Sequence, residues 1–382
     1  MKPVSKQQGF ALLIFVAVLT TASAALAVKI LNNGNSQIAR DKITAAALAQ
    51  ARDALIGSTS TQSQLASTGY LNLPDLGSGV NYPEGSAAGT LPGNYKDYSV
   101  IGKVPWKTLK ISPLRDGQGE CLWYVISGRF KNMPKTDVFN WDTQGQLDVI
   151  DSNNNPIANN VAALIVAPTH PQSGQNRASD PVYTQCGGNY DTSNYLNSYF
   201  TGSTNNRVAS NSNNKSFVMA NNDHFLFVTI DDIFRPIIHR TDFSTQISAL
   251  LDDPYFLTVT NATGSKGTNT INCNGLSAAN HTFCINWKEM LLLTELPVPS
   301  NITIINNGVT TITGPCSFVL IFGGQKTANQ VRLTNANKSD PANYLEAPNL
   351  TAFDTPTAHS SNFSGALTFS ASNPGADLLR CL

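Results

Sequence analysis

Charge is what this chain has least of. Asp, Glu, Lys and Arg make up 13% of its 382 residues, about half the share usual in soluble domains. Twenty-five acids balance 25 bases, so bulk electrostatics give no sign of a nucleic-acid partner. No two cysteines form a Cys-x-x-Cys pair, which argues against a zinc ribbon or a thioredoxin-like centre. Gly-x-Ser-x-Gly, His-Glu-x-x-His, a phosphate-binding glycine loop and a Gly-x-Gly-x-x-Gly turn are all missing. The five histidines, His170, His224, His239, His281 and His359, are scattered, with no pair at metal-ligand spacing. The sequence therefore offers no catalytic constellation and no cofactor motif, and it reads as a non-enzyme. Internal repeats are absent as well.

Asn, Ser, Thr and Gly take the place of charge, while 41% apolar residues favour a folded chain. The length suffices for one or two cores. The opening residues, 1–9, carry Lys2 and Lys6 and no acid; Phe10 to Val28 then run without charge or proline. Such a run is long enough to cross a bilayer as a helix, and the preceding lysines put its start in the cytoplasm. Three readings compete: a secretory signal peptide cut at Ala25-Leu26-Ala27, a plain signal anchor, or a leader that ends in Gly directly before the apolar helix.

Lys6-Gln7-Gln8-Gly9-Phe10 resembles the prepilin peptidase site of type IV pilins and type II secretion pseudopilins. The resemblance implies cleavage between Gly9 and Phe10, methylation of the new N-terminus, and assembly with other pilins or pseudopilins from the inner membrane. The head would lie in the periplasm or on an extracellular filament. One departure is informative. The family carries Glu at the fifth mature position, where it neutralises a neighbour's N-terminus; here Ile14 stands there. That departure resembles certain minor pilins and the tip pseudopilin. The expected function is a minor, tip-like structural subunit, the alternative being an exported, membrane-anchored adhesin or binding protein.

Asn32-Asn33-Gly34-Asn35 predicts a break after the membrane run, and Ser36 can cap a restarted helix over about 37–56, ended by Gly57. Ile43, Ala47, Ala51, Ala54 and Leu55 would form its apolar stripe. The whole reads as a leader at 1–9, a transmembrane helix at 10–28, an amphipathic extension at 29–57, a pilin-like α+β head at 58–254 and a β-rich lobe at 255–382. The fold class is thus α+β, a long N-terminal helix followed by a β-rich globular head.

Within the head, 58–98 reads as polar loop. Two blocks follow, Ile101 to Leu109 and Pro113 to Tyr124; the turn at Asp116-Gly117 and a strand over Cys121–Ile126 read as a β-hairpin with Trp106, Trp123 and Tyr124 as core anchors. These two blocks resemble the head of secretion pseudopilins, and more closely a group of large proteobacterial pilin-like proteins. Ala162 to Pro168, Asn222 to Leu226 and Asp340 to Glu346 resemble that group too. Strands are expected at Gln146–Ile150, Val161–Ala167, His224–Ile230, Thr258–Asn261, Ile302–Ile305, Thr310–Ile312, Ser317–Phe322 and Ala366–Ser370. Helices are expected after Asp231-Asp232, limited by Pro236, and over Asp242–Leu251. Residues 171–215 read as an exposed insertion.

Two further sets of side chains stand out. Asp151, Asn153 and Asn155 alternate like the start of a calcium loop, although Pro156 and Ala162 occupy the positions of the loop's Gly and Glu; an Asn-rich turn between strands is the simpler reading. Export makes disulfides the expected state of Cys121, Cys186, Cys273, Cys284, Cys316 and Cys381. Fifteen pairings are open. The short loop favours Cys273 with Cys284, and Cys316 with Cys381 would tie down the tail, leaving Cys121 with Cys186.

Overall fold

A computed structural model describes residues 36–61, 68–77, 83–91, 96–136, 138–178, 185–186, 188–201, 215–220, 222–259, 271–306, 308–354 and 362–382. Gly9, Phe10, Ile14, the apolar run 10–28 and His359 lie outside these residues. Among the described residues no helix is long and apolar enough to cross a membrane.

The first described element, α1, is a helix over residues 36–60. It passes through Gly57 rather than stopping there. The hydroxyls of Ser58, Thr59, Ser60 and Thr61 each donate to a carbonyl three residues back, at 2.7, 2.7, 3.0 and 3.4 Å, satisfying acceptors that a helix end leaves open. Its buried face is Thr44, Ala47, Leu48, Ala51, Leu55 and Thr59. This stripe is rotated from the expected one, and Ile43 is 54% exposed. Small residues at 47 and 51 let the backbone come close to what lies beneath.

What lies beneath is an antiparallel sheet of order β1-β2-β5-β8, formed by Val100–Lys103, Trp123–Ile126, Ala163–Ala167 and His224–Val228. Its two faces belong to different cores. Val100, Tyr124, Ile126, Ala163 and Ile165 join α1 in the larger one. Ile101, Trp123, Val125, Leu164 and Val166 join the smaller one, against a second sheet. Burial on both faces accounts for the continuously apolar β5. The second sheet has the order β4-β3-β7-β6, from Pro156–Val161, Leu147–Asp151, Lys215–Met219 and Tyr199–Phe200, with β3 and β7 parallel. The run expected as one strand over Val161–Ala167 is divided: Val161 ends β4 and Ala163 begins β5.

Helices α2 (Ile230–Ile238), α3 (Thr241–Leu251), α4 (Tyr255–Val259) and α5 (Ala278–Trp287) follow. Pro236 lies inside α2 instead of limiting it. A capping box between Thr229 and Asp232 and burial of Ile233, Phe234, Ile237 and Ile238 outweigh the hydrogen bond that Pro236 forgoes. α4 occupies the place of the strand expected at Thr258. Asp253 accepts the Tyr255 N–H at 3.0 Å and starts a turn there.

The third sheet, β11-β9-β10-β12, is built on a long hairpin. β9 is Leu291–Asn306 and β10 is Val309–Phe322; the two short strands expected in 310–322 are one. β12 (Leu378–Cys381) pairs antiparallel with β10, and β11 (Asn362–Ser364) pairs parallel with β9. Ala366 makes only a lone bridge to Leu378, so no strand runs over 366–370. Two short helices, α6 (Asn335–Ser339) and α7 (Asn349–Asp354), complete the order. The larger core is continuous from Leu48 and Leu55 of α1 through Trp287 of α5 to Val319 and Leu379 of this sheet. The molecule is an α+β fold with a β-rich head.

Two loop regions are more buried than their polar composition suggests. Tyr70, Leu71, Leu73 and Leu76 enter the larger core, and Tyr195, Leu196 and Phe200 enter the smaller. Residues 171–215 are thus not simply an exposed insertion. The aromatic spacing within the Asn- and Ser-rich stretch was the available signal.

Candidate functional site

The Asp116-Gly117 turn singled out in the sequence lies where the head meets α1. Asp116 is buried and acts as a hub. One carboxylate oxygen accepts the N–H groups of Gln118 (2.8 Å) and Glu120 (3.0 Å), and the other accepts that of Thr169 (2.8 Å). This fixes the turn that the Arg115–Cys121 bridge closes. Gly117 then lies directly on α1: its N–H donates to Thr44 Oγ1 at 2.9 Å, while that hydroxyl donates to the Arg40 carbonyl at 3.0 Å. A Cβ at Gly117 would stand 2.3 Å from the Arg40 carbonyl oxygen, so the approach requires glycine. Arg52 adds a second hold further along, from Nη2 to Asp232 at 2.5 Å and from Nε to the Phe227 carbonyl at 3.3 Å. Burial pushes the Asp232 carboxyl up, but hydrogen bonds from Thr229 and Arg52 bring it below its ordinary value.

The same turn is bound to its surroundings by the Cys121–Cys186 disulfide. Arg115 donates to the Gln185 carbonyl, and Glu84 accepts the N–H groups of Gln185 (3.0 Å) and Cys186 (2.6 Å). Next to it, Asp75 accepts from Gly77 N–H (2.9 Å), Gly85 N–H (2.6 Å) and the Tyr190 hydroxyl (2.6 Å). Lys103 Nζ sits 4.4 Å from the Tyr190 ring centre and 5.2 Å from that of Tyr195. Burial lowers the Lys103 ammonium to about 8, against the pull of Asp75 and Glu84, and raises the Asp75 carboxyl. Trp123 and Tyr124 are fully buried, as core anchors should be, whereas Trp106 is half-buried.

A second node was not legible in sequence. Arg332 is 1% exposed and pairs with Asp142 at 2.9 Å, 190 residues away. Its remaining donors reach the carbonyls of Asn343 (2.6 Å) and Gly324 (3.0 Å) and the side chain of Gln330 (3.0 Å). The guanidinium lies 4.2 Å from the Tyr344 ring centre. The Asp340–Glu346 block is therefore a cradle for Arg332. Burial raises the Asp142 carboxyl, and Arg332 works in the opposite direction. Beside it, Lys338 bonds both oxygens of Glu289 at 2.9 Å, and Asn140 reaches the same carboxylate at 3.2 Å.

The three pairings Cys121–Cys186, Cys273–Cys284 and Cys316–Cys381 are present, the first expected by elimination, the second by its short loop and the third as the tie on the tail. Asp151 closes the β3–β4 hairpin: it accepts Asn153 N–H, Asn155 N–H and Asn155 Nδ2, each at 2.8 Å. Those bonds, the Asn155 side chain first, hold its carboxyl below the ordinary value. Asp151, Asn153 and Asn155 are brought together, but as an Asx-type turn that uses its own oxygens. Among the described residues no group of three or more His, Cys, Asp or Glu side chains is arranged to hold a metal ion.

Two open clefts of about 430 Å³ flank α1. One is polar, lined by Arg40, Asp41, Thr44, Gln118, His170 and His224; the other, between α1 and β8, is lined by Leu48, Phe225 and Leu226 with Asp223 and His224. A smaller cavity of about 200 Å³ lies by Glu346 and Asp377. At these places Asp223, Glu346 and Asp377 accept hydrogen bonds from neighbouring loops, and the contacts of Gly117 and Arg52 fix α1 to the head. No family model, curated protein or solved structure matches the chain.

Proposed function

We propose that the chain is a minor structural subunit of a type IV pilus or type II secretion pseudopilus, placed at or near the filament tip. One observation carries the reading. A basic leader ending in Gly9-Phe10 and an uncharged run to Val28 lead into α1, which lies along an antiparallel sheet in the manner of a pilin helix on its head. A subunit of this kind needs no catalytic group. It needs a helix that anchors in the inner membrane and inserts among other pilins or pseudopilins, and a head joined firmly to that helix. The bonds from Gly117 to Thr44 and from Arg52 to Asp232, which join α1 to the head, support the second requirement, and the disulfides suit the oxidising side of the membrane.

N-terminal sequencing of the mature protein tests the reading. Prepilin peptidase is expected to leave Phe10 as the first residue. A start at Val28 would mean an ordinary signal peptide and overturn the proposal. An uncut N-terminus would leave an anchored adhesin or binding protein.

A further inference from the structure

The hairpin of β9 and β10 carries a strand whose outer edge is open. β12 covers β10 only from Val319 to Phe322, and Leu382 continues the cover to Ser317. β11 covers the far side of β9 at Thr303–Ile305. Between these, among the described residues, nothing pairs with the outer edge of Val309 to Thr313. Both faces of this stretch are open as well: Val309 is 66% exposed and Ile312, on the opposite face, 68%. All five residues, Val-Thr-Thr-Ile-Thr, are β-branched, the composition that best suits a paired strand. An exposed edge of this kind is a template for another strand.

The usual guards against edge pairing are missing here. No Asp, Glu, Lys or Arg occurs between Glu295 and Lys326. Pro315 and the register shift between Thr313 and Cys316, just beyond the stretch, limit how far a partner strand can extend. The absence of charge also defines the partner. With no counter-charge on the edge, the favourable cross-strand pairs open to a partner are β-branched and Thr–Thr ones. This stretch, extended and wholly β-branched, supplies both against itself.

We propose that a second copy of the chain adds its own residues 309–313 to this edge, antiparallel and about a two-fold axis at Thr311. Val309 of one copy faces Thr313 of the other, and Thr310 faces Ile312. The sheets then join as β11-β9-β10 followed by the same three strands reversed, an isologous contact of self-complementary surfaces. A five-residue strand pair buries less than the roughly 1,000 Å² of a stable interface. The contact is therefore weak and concentration-dependent. It is independent of the pilin reading, and its failure would leave that reading intact.

The test uses the purified full chain in detergent, with mass measured by light scattering over a concentration series up to about 1 mM. The wild type is expected to shift from monomer towards dimer. Thr311→Lys and Thr311→Glu each place like charges across the axis and are expected to remain monomeric under the same conditions. An equimolar mixture of the two is expected to recover the dimer, which a misfolded variant could not do. A wild type that stays monomeric, a dimer that persists in both variants, or a mixture that fails to recover overturns the proposal. So does a strand of a different protein occupying the edge.

Discussion

Gly117 and Gly57 are both glycines of the α1 region, and they should respond to alanine in opposite ways. A methyl at Gly117 meets the Arg40 backbone and must push the turn off the helix. Gly117→Ala is expected to cost about 1–3 kcal/mol, read as a lowered thermal midpoint. Gly57 is inside α1 with nothing near its missing Cβ, so Gly57→Ala should stabilise by about 0.5–1 kcal/mol. Asp377 gives a prediction in pH. Burial pushes its carboxyl up to about 7 from 3.8, in spite of hydrogen bonds from Asn349 and Gly324. The folded chain thus holds this proton more tightly than the unfolded chain. Its contribution to stability is greatest at low pH and falls as pH rises through the window from about 4 to about 7. Comparing thermal midpoints of wild type and Asp377→Asn over that window tests this. The variant should lack that part of the decline, and parallel profiles would refute the assignment.

At the scale of elements, the parts legible in sequence were those whose pattern matched their burial. β5 and β8 showed as apolar runs, and β3 and α3 lie within one residue of where they were expected. α4 was misread because Tyr, Phe, Thr and Val favour strands, although Asp253-Pro254 just before it is a helix-start signal. The β9–β10 hairpin was seen only in pieces, at Ile302–Ile305, Thr310–Ile312 and Ser317–Phe322, with Pro297, Pro299 and Pro315 lying outside them. The turn at Asp116-Gly117 was legible, but that Gly117 rests on α1 was not, because spacing does not reveal contact across 73 residues. The Arg332 node was beyond reach for the same reason. It also makes the clearest element-scale prediction. Arg332→Met leaves Asp142 buried without its partner and should cost about 3–5 kcal/mol, measured by urea unfolding. Adding Asp142→Leu should recover part of that loss, since the stranded charge is then gone. No recovery would mean that the carbonyls of Gly324 and Asn343, not the ion pair, set the cost.

For the whole molecule, the tip placement within the proposed function rests on two independent grounds. Ile14 cannot neutralise the N-terminal amine of an earlier subunit, and an uncompensated charge in an apolar filament core costs several kcal/mol. The first subunit has no earlier neighbour to serve. The head is also large: 325 residues follow position 57, and such bulk would crowd a helical shaft. Immunogold labelling is expected at filament ends. Even decoration along the length would defeat this placement, as would an Ile14→Glu variant that assembled in shaft quantities.

The three disulfides close three separate loops of the head, with separations of 65, 11 and 65 residues. Each encloses a loop of chain whose ends are covalently joined. A protease that cuts once between Cys121 and Cys186, within Cys273–Cys284, or between Cys316 and Cys381 does not produce two separable pieces. The cut chain keeps its mass, and its packed neighbours hold the new ends near their places. A head with this wiring can be nicked and still remain one object, with the damage visible only once a reductant opens the loops.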